Sequence, residues 1–231
     1  MIAIEQLTKK YGGKEVLNID SLTINQGERF GLVGNNGAGK TTLFNLILDL
    51  IKPDTGQVCN HQIPVQKSED WKKHTAAFID EGFLIAYLTP EEYFYFVGGL
   101  RTVGKEEVDA WLQQFEEFFN GEVLGQNKYI RNLSKGNQKK VGLVSAFLGH
   151  PKLVILDEPF ANLDPSSQIR FKALVRQQIQ NHDLTILISS HDLNHVTEVC
   201  DRIVLLEKGL PIKDLKTTAK TFGQLEDYFK A

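Results

Sequence analysis

The sequence predicts an α/β fold: a mostly parallel sheet with flanking helices, an antiparallel β-subdomain at the front, and an inserted helical subdomain. Three observations carry that expectation. Short apolar strands alternate with helical periodicity at "ERFGLVG…KTTLFNLILDL" and again from residue 151 onward, the pattern of a parallel core. The first residues form short β-leaning segments separated by turns. From about residue 84 to 150 the pattern is almost entirely helical.

Taken in order, "IAIEQL", "KEVL" and "SLTIN" are expected as strands, with turns at Gly12-Gly13 and at Asn18–Asp20. "ERFGLVG" reads as a buried strand, and Leu43, Leu46, Ile47 and Leu50 then recur at helical spacing. "HTAAFID" is a further strand. Helices follow at "TPEEYFYFVGGL", "KEEVDAWLQQFEEFF" and "SKGNQKKVGLVSAFLGH". The end alternates again: strand "LVILDE", helix 165–181, strand "TILISS", helix 192–199, strand "RIVLLEKG" and a tail helix. The expected organisation is one domain over residues 1–231, with 1–83 and 151–231 as the core and 84–150 as the helical insertion.

Bulk properties exclude several classes. The 231 residues carry a net charge of −3, which predicts no broad basic face and no nucleic-acid partner. Cys59 and Cys200 lie far apart without metal or redox spacing, as in a reduced compartment. The first fifteen residues lack the apolar run of a secretory signal, and no stretch of eighteen apolar residues predicts a membrane span.

Chemistry enters at "GLVGNNGAGKTTL", which fits GxxxxGK[ST] with Gly34, Gly39, Lys40 and Thr41 in the fixed slots. Glycines let the amides of Asn35, Asn36, Gly37, Ala38 and Gly39 wrap phosphate oxygens without Cβ clashes. Lys40 brings a cation to the β- and γ-phosphates, the Thr41 hydroxyl can ligate Mg²⁺, and Thr42 completes the loop. The strand before and helix after are the required context, since a helix N-terminus favours an anion. This predicts a P-loop NTPase core. In "LVILDEP", Asp157 at a strand's carboxyl end is placed to hold Mg²⁺, and Glu158 to polarise a water for attack on the γ-phosphate. "RNLSKGNQKK" reads as a helix start at Ser134, but that stretch has no anion site beside it in sequence.

The order of these motifs resembles the ATP-binding cassette (ABC) ATPases over nearly the whole chain. "LSKGN" is a variant of the family signature "LSGGQ", "NLD" at 162–164 resembles the dimer-contact loop, and His191 stands at the switch histidine. The resemblance implies that Tyr11 stacks on adenine, with Val16 beside it. It also implies that two cassettes pair head to tail, so that Ser134, Gly136, Asn137 and Asp164 contact the ATP of the other subunit. The anion of the Ser134 helix is then on a second chain. Glu81 stands where the family often has glutamine, and is expected as a catalytic and metal-binding residue beside Asp157. Lys135 and Asn137 depart from the signature.

The implied function is the ATP-hydrolysing subunit of a membrane transporter, using ATP and Mg²⁺. It is expected in the cytoplasm, on the inner membrane face, held there by a separate transmembrane permease. A homodimer is expected. The segment "FLIAYLTPEEYFYFVGGL" resembles export-type cassettes, and some of Phe83, Tyr87, Tyr93, Phe94, Tyr95 and Phe96 are expected to face outward as a docking surface. The alternative is a soluble ABC-type ATPase acting in nucleic-acid repair or translation; the repair type needs a long coiled coil and the translation type two cassettes per chain. A GTPase fails on "NKYI", which lacks the aspartate of NKxD. "HDLNH" has the spacing of a zinc motif but an aspartate at its second position, which argues against zinc.

Overall fold

The computed structural model describes residues 1–181 and 183–230. In chain order the first elements are β1 (Ile2–Tyr11), β2 (Lys14–Ile24), β3 (Arg29–Val33), α1 (Lys40–Ile47), β4 (Thr55–Asn60), β5 (Ile63–Pro64) and β6 (Thr75–Phe78). There follow α2 (Pro90–Leu100), α3 (Lys105–Leu112), α4 (Glu116–Phe119) and α5 (Lys135–Ser145). The remainder is β7 (Leu153–Leu156), α6 (Pro165–Asn181), β8 (Thr185–Ser190), α7 (Leu193–Val199), β9 (Arg202–Glu207), β10 (Leu210–Lys216) and α8 (Thr221–Lys230).

Two sheets result among the described residues. One is antiparallel, ordered β2-β1-β4-β5, and the other is ordered β10-β9-β3-β8-β7-β6. In the second, β9, β3, β8, β7 and β6 run parallel and only β10 is antiparallel. Register places Val33 opposite Ser190, Leu156 opposite Ile188, and Phe78 opposite Leu156. The segments that leave β3, β8, β7 and β6 therefore emerge together at one carboxyl edge, where open α/β sheets bind ligands.

Strand alternation divides the core between the two faces of this sheet. Phe30, Leu32, Leu153 and Ile155 join α1 and the antiparallel sheet in one apolar cluster. Val33, Val154, Leu156 and Ile188 face the helices, in a cluster that runs on through Phe94, Trp111, Phe115, Phe119 and Val141. The helical insertion thus shares its core with the sheet. No helix among the described residues is long and apolar enough to cross a membrane.

Three expectations about elements change. No turn lies at Asn18–Asp20, because β2 runs through it and pairs with β1 on both sides (Leu7 opposite Ile19, Glu5 opposite Ser21). β4 and β10, both missed in the sequence, are rich in polar residues, and β10, at the edge of its sheet, carries Pro211. Helix starts follow the local chemistry more closely. Thr89 and Glu92 exchange backbone bonds in a capping box, with Pro90 at the first helical position. Ser134 caps α5 by accepting from the Asn137 amide at 3.2 Å.

The close fit of α5 against β6 yields the first prediction. A Cβ on Gly142 would stand 2.0 Å from Phe78 Cε2, and Phe78 is buried. Gly142→Ala gains helix propensity, but overpacking of this kind costs about 1–3 kcal/mol and outweighs it. Denaturant unfolding should show that loss of stability; an unchanged midpoint would mean that the ring has room to move.

Candidate functional site

The loop between β3 and α1 starts the site. Gly37 and Gly39 have φ of 81° and 107°, and a Cβ on Gly34 would lie 2.3 Å from the Leu206 carbonyl. A side chain at these positions would strain the backbone or fill the cradle. The Gly209 amide bonds the Ala38 carbonyl at 2.9 Å and the Asn18 amide bonds the Gly209 carbonyl at 2.9 Å, so the loop is tied to β2. A Cβ on Gly39 would lie 2.9 Å from the Val16 carbonyl, which puts Val16 beside the loop. Tyr11 is exposed at the end of β1, with Lys9 Nζ 5.4 Å from its ring centre, and Val16 is half-buried on β2.

Lys40 is buried and converges on the acids from β7. Its ammonium donates to the Gly34 carbonyl at 2.7 Å and lies 3.2 Å from Glu158 Oε1. The Thr41 hydroxyl donates to Asp157 Oδ2, and the Ser189 hydroxyl to Asp157 Oδ1. The Glu158 amide donates to Ser189 Oγ at 2.9 Å. Burial pushes the Asp157 carboxyl above its usual range, while the two hydroxyls oppose that shift. A buried carboxylate beside a threonine hydroxyl is the hard oxygen set that Mg²⁺ prefers, so the residues fit that ion.

Glu158 has left-handed backbone, φ 46°, which is costly for a residue with a Cβ. Its other carboxylate oxygen meets His191 Nδ1 at 2.9 Å and the His191 amide at 3.3 Å. Here β7 and β8 end side by side, so strand register alone brings Glu158 and His191 together. Gly136, near the start of α5, packs so that a Cβ there would lie 3.1 Å from the Asn162 carbonyl. Asp164 accepts from the Ser167 amide at 3.0 Å, and hydrogen bonds from Ser166 and Ser167 hold its carboxyl far below the usual carboxylate range.

Glu81 follows β6 in a short helical turn over Glu81–Phe83, and its carboxylate is turned toward Lys139 at 3.8 Å. Ser189 and Lys139 were missed in the sequence. The two hydroxyls that end "TILISS", level with "LVILDE", are the signal that finds Ser189; Lys139 has no such signal. His195 does not share a site with His191, since its ring stacks on Phe160 at 4.5 Å between centroids.

A family model described as "ABC transporter" matches residues 17–161. The chain belongs to this ABC family. This ABC ATPase is 34% identical to the uncharacterized ABC transporter ATP-binding protein YhaQ of Bacillus subtilis, over 97% of this chain and 74% of that one. Its fold is similar to the dimeric post-hydrolysis structure of the ATP-binding cassette MJ0796 bound to ADP and Pi. That match has a TM-score of 0.83 at 24% identity and covers 95% of this chain and all of the other. A cassette from Clostridium perfringens, cbiO1, described as part of the transporter complex cbiONQ, matches with a TM-score of 0.78 at 24% identity, over 99% of this chain and 93% of that one.

Burial also sets a pH dependence in the ABC ATPase. Desolvation holds the His195 imidazolium below its ordinary pKa of 6.5, with Lys172 and His191 adding to that shift and Asp192 and Glu198 opposing it. The folded state then binds the proton less well than the unfolded chain. The stability supplied by the neutral ring is full above about pH 6.5 and is lost as pH falls from there through the lower folded-state pKa. Thermal midpoints should fall less between about pH 7 and pH 5 in His195→Phe, which keeps the stack on Phe160; equal slopes would remove His195 from this role.

Proposed function

We propose that this ABC ATPase is the ATP-hydrolysing subunit of a membrane exporter, pairing head to tail with a second copy around two ATP molecules. A separate transmembrane permease carries the substrate. The observation that carries the reading is the position of Glu158, whose carboxylate stands between Lys40 and His191 at the carboxyl edge of the sheet. There it takes a proton from the attacking water, while His191 orients that water and the γ-phosphate. The loop amides of residues 34–39 and Lys40 hold the phosphates, Thr42 closes the loop, and Tyr11 stacks on adenine beside Val16. Thr41 and Asp157 would hold Mg²⁺, which when bound would supply positive charge to the phosphates.

Within the domain, residues 84–150 act as the signature subdomain. Ser134, Gly136 and Asn137 offer the first-turn amides and hydroxyl of α5 to the γ-phosphate of the other subunit, and Asp164 contacts that subunit. Ser134 is exposed, as a contact with another chain requires. The direction of transport rests on the resemblance of segment 83–100 to export-type cassettes.

The permease is placed against the aromatic segment, which holds the subunit at the inner face of the membrane. Of its six rings, Phe94 is buried and Tyr93 half-buried, Tyr95 bonds Asp109 at 2.6 Å, and Phe83, Tyr87 and Phe96 are exposed. Exposed apolar groups beside the γ-phosphate segment suit a protein contact that moves with the nucleotide. In cells, Phe83→Glu with Phe96→Glu should shift the chain from the membrane fraction to the soluble fraction while ATP binding persists. Unchanged membrane association would place the docking surface elsewhere.

A further inference from the structure

Glu81 raises a charge problem that its neighbours answer. A carboxylate whose oxygen is buried without a hydrogen bond is electrostatically unfavourable unless a cation offsets it. Lys139 is that cation. It lies on α5, is 5% exposed, and places its ammonium 3.8 Å from Glu81 Oε1. The same ammonium donates to the carbonyls of Glu158 at 2.9 Å and Ala161 at 3.0 Å. Glu81 Oε1 is fully buried and accepts no hydrogen bond. One ammonium therefore joins three segments: the turn after β6, helix α5, and the loop that carries Glu158 in its left-handed conformation.

We propose that Lys139 is a positioning residue for Glu158, and that Glu81 serves as its counter-charge. The Lys139 ammonium holds the Glu158 and Ala161 carbonyls, which fixes the loop geometry and aims the Glu158 carboxylate. Glu81 stands opposite that ammonium, 3.8 Å away, as the carboxylate that offsets its buried charge. A shift of α5 or of the 81–83 turn is then transmitted directly to the backbone of Glu158. The inference rests on Glu158 being the base.

Steady-state ATP hydrolysis, nucleotide binding and thermal melting of four variants test it: Lys139→Gln, Glu81→Gln, the double Glu81→Gln/Lys139→Gln, and Glu158→Gln. Lys139→Gln leaves a buried carboxylate without its cation and frees the two carbonyls. Its kcat should fall about tenfold to a hundredfold, as small misplacements of a catalytic group do, with KM and ATP affinity nearly unchanged. Glu81→Gln should lose kcat in the same way. The double variant removes both charges, lets one amide bond the other or the carbonyls, and should recover most of the loss. Losses that simply multiply in the double variant, or an unchanged kcat in folded Lys139→Gln, would overturn the proposal. Retained turnover in Glu158→Gln would instead overturn the base assignment, whatever Lys139 does.

Discussion

ATP turnover in Glu158→Gln is expected to fall by roughly 10²- to 10⁴-fold, the contribution of a positioned general base. The amide keeps the size and polarity of the side chain but takes no proton from the attacking water. Lys40 loses the ion pair it makes with Glu158 at 3.2 Å, yet its bond to the Gly34 carbonyl at 2.7 Å does not involve that residue. The phosphate loop is also held by its own glycines and by the Gly209 tie. Nucleotide affinity should therefore be retained, and ATP-stabilised dimers should accumulate because they no longer turn over. Phosphate release at saturating ATP, with binding measured on the same preparation, checks both halves. Ordinary turnover with intact binding would exclude Glu158 as the base.

The second large effect is expected at Ser134. Ser134→Arg places a long side chain over the start of α5 and removes a hydroxyl donor, so the homodimer should lose about 10²- to 10³-fold in hydrolysis. Lys40→Ala should be inactive because it lacks the phosphate cation. Mixing the two variants separates the arrangements. If Ser134 acts across the dimer, a heterodimer contains one site built from an intact phosphate loop and an intact Ser134, and activity returns. If Ser134 acts on the nucleotide of its own chain, each site in the heterodimer carries one defect and the mixture stays inactive. Normal hydrolysis by the Ser134→Arg homodimer would leave Ser134 as a helix cap alone, the role shown by its bond from the Asn137 amide.

Much of the fold was legible because the strongest signals are periodic. The apolar runs "LVIL" and "TILISS" are β7 and β8, and helix 165–181 coincides with α6, where Asp164 and Pro165 supply the start. β2 was harder because its burial alternation slips at Asp20 and Ser21, opposite Gln6 with φ 46°, so one strand resembles two with a turn between them. β4 offers only Val58 and Cys59 as buried apolar residues, too few to show a period. Within the site, residues in fixed motifs could be named from spacing, because contiguous loops carry them. Ser189 reaches Asp157 through strand pairing, and Lys139 reaches Glu81 and Glu158 through helix packing. Neither relation is written in local spacing.

The place of β3 in the sheet governs when the protein can become native during synthesis. Its neighbours on both sides, β8 and β9, come from residues 185–190 and 202–207, so the strand that leads into the phosphate loop emerges from the ribosome long before either partner. The antiparallel hairpin of β1 and β2 can close at once, since its contacts are local. β3 must wait, with Phe30, Leu32 and Val33 unprotected, until residues 185–207 have been made. Such long-range parallel pairing is slow and leaves apolar strands open to aggregation in the interval. Nascent chains halted before residue 185 should remain protease-sensitive through β3, and protection should appear only once β9 is free to dock.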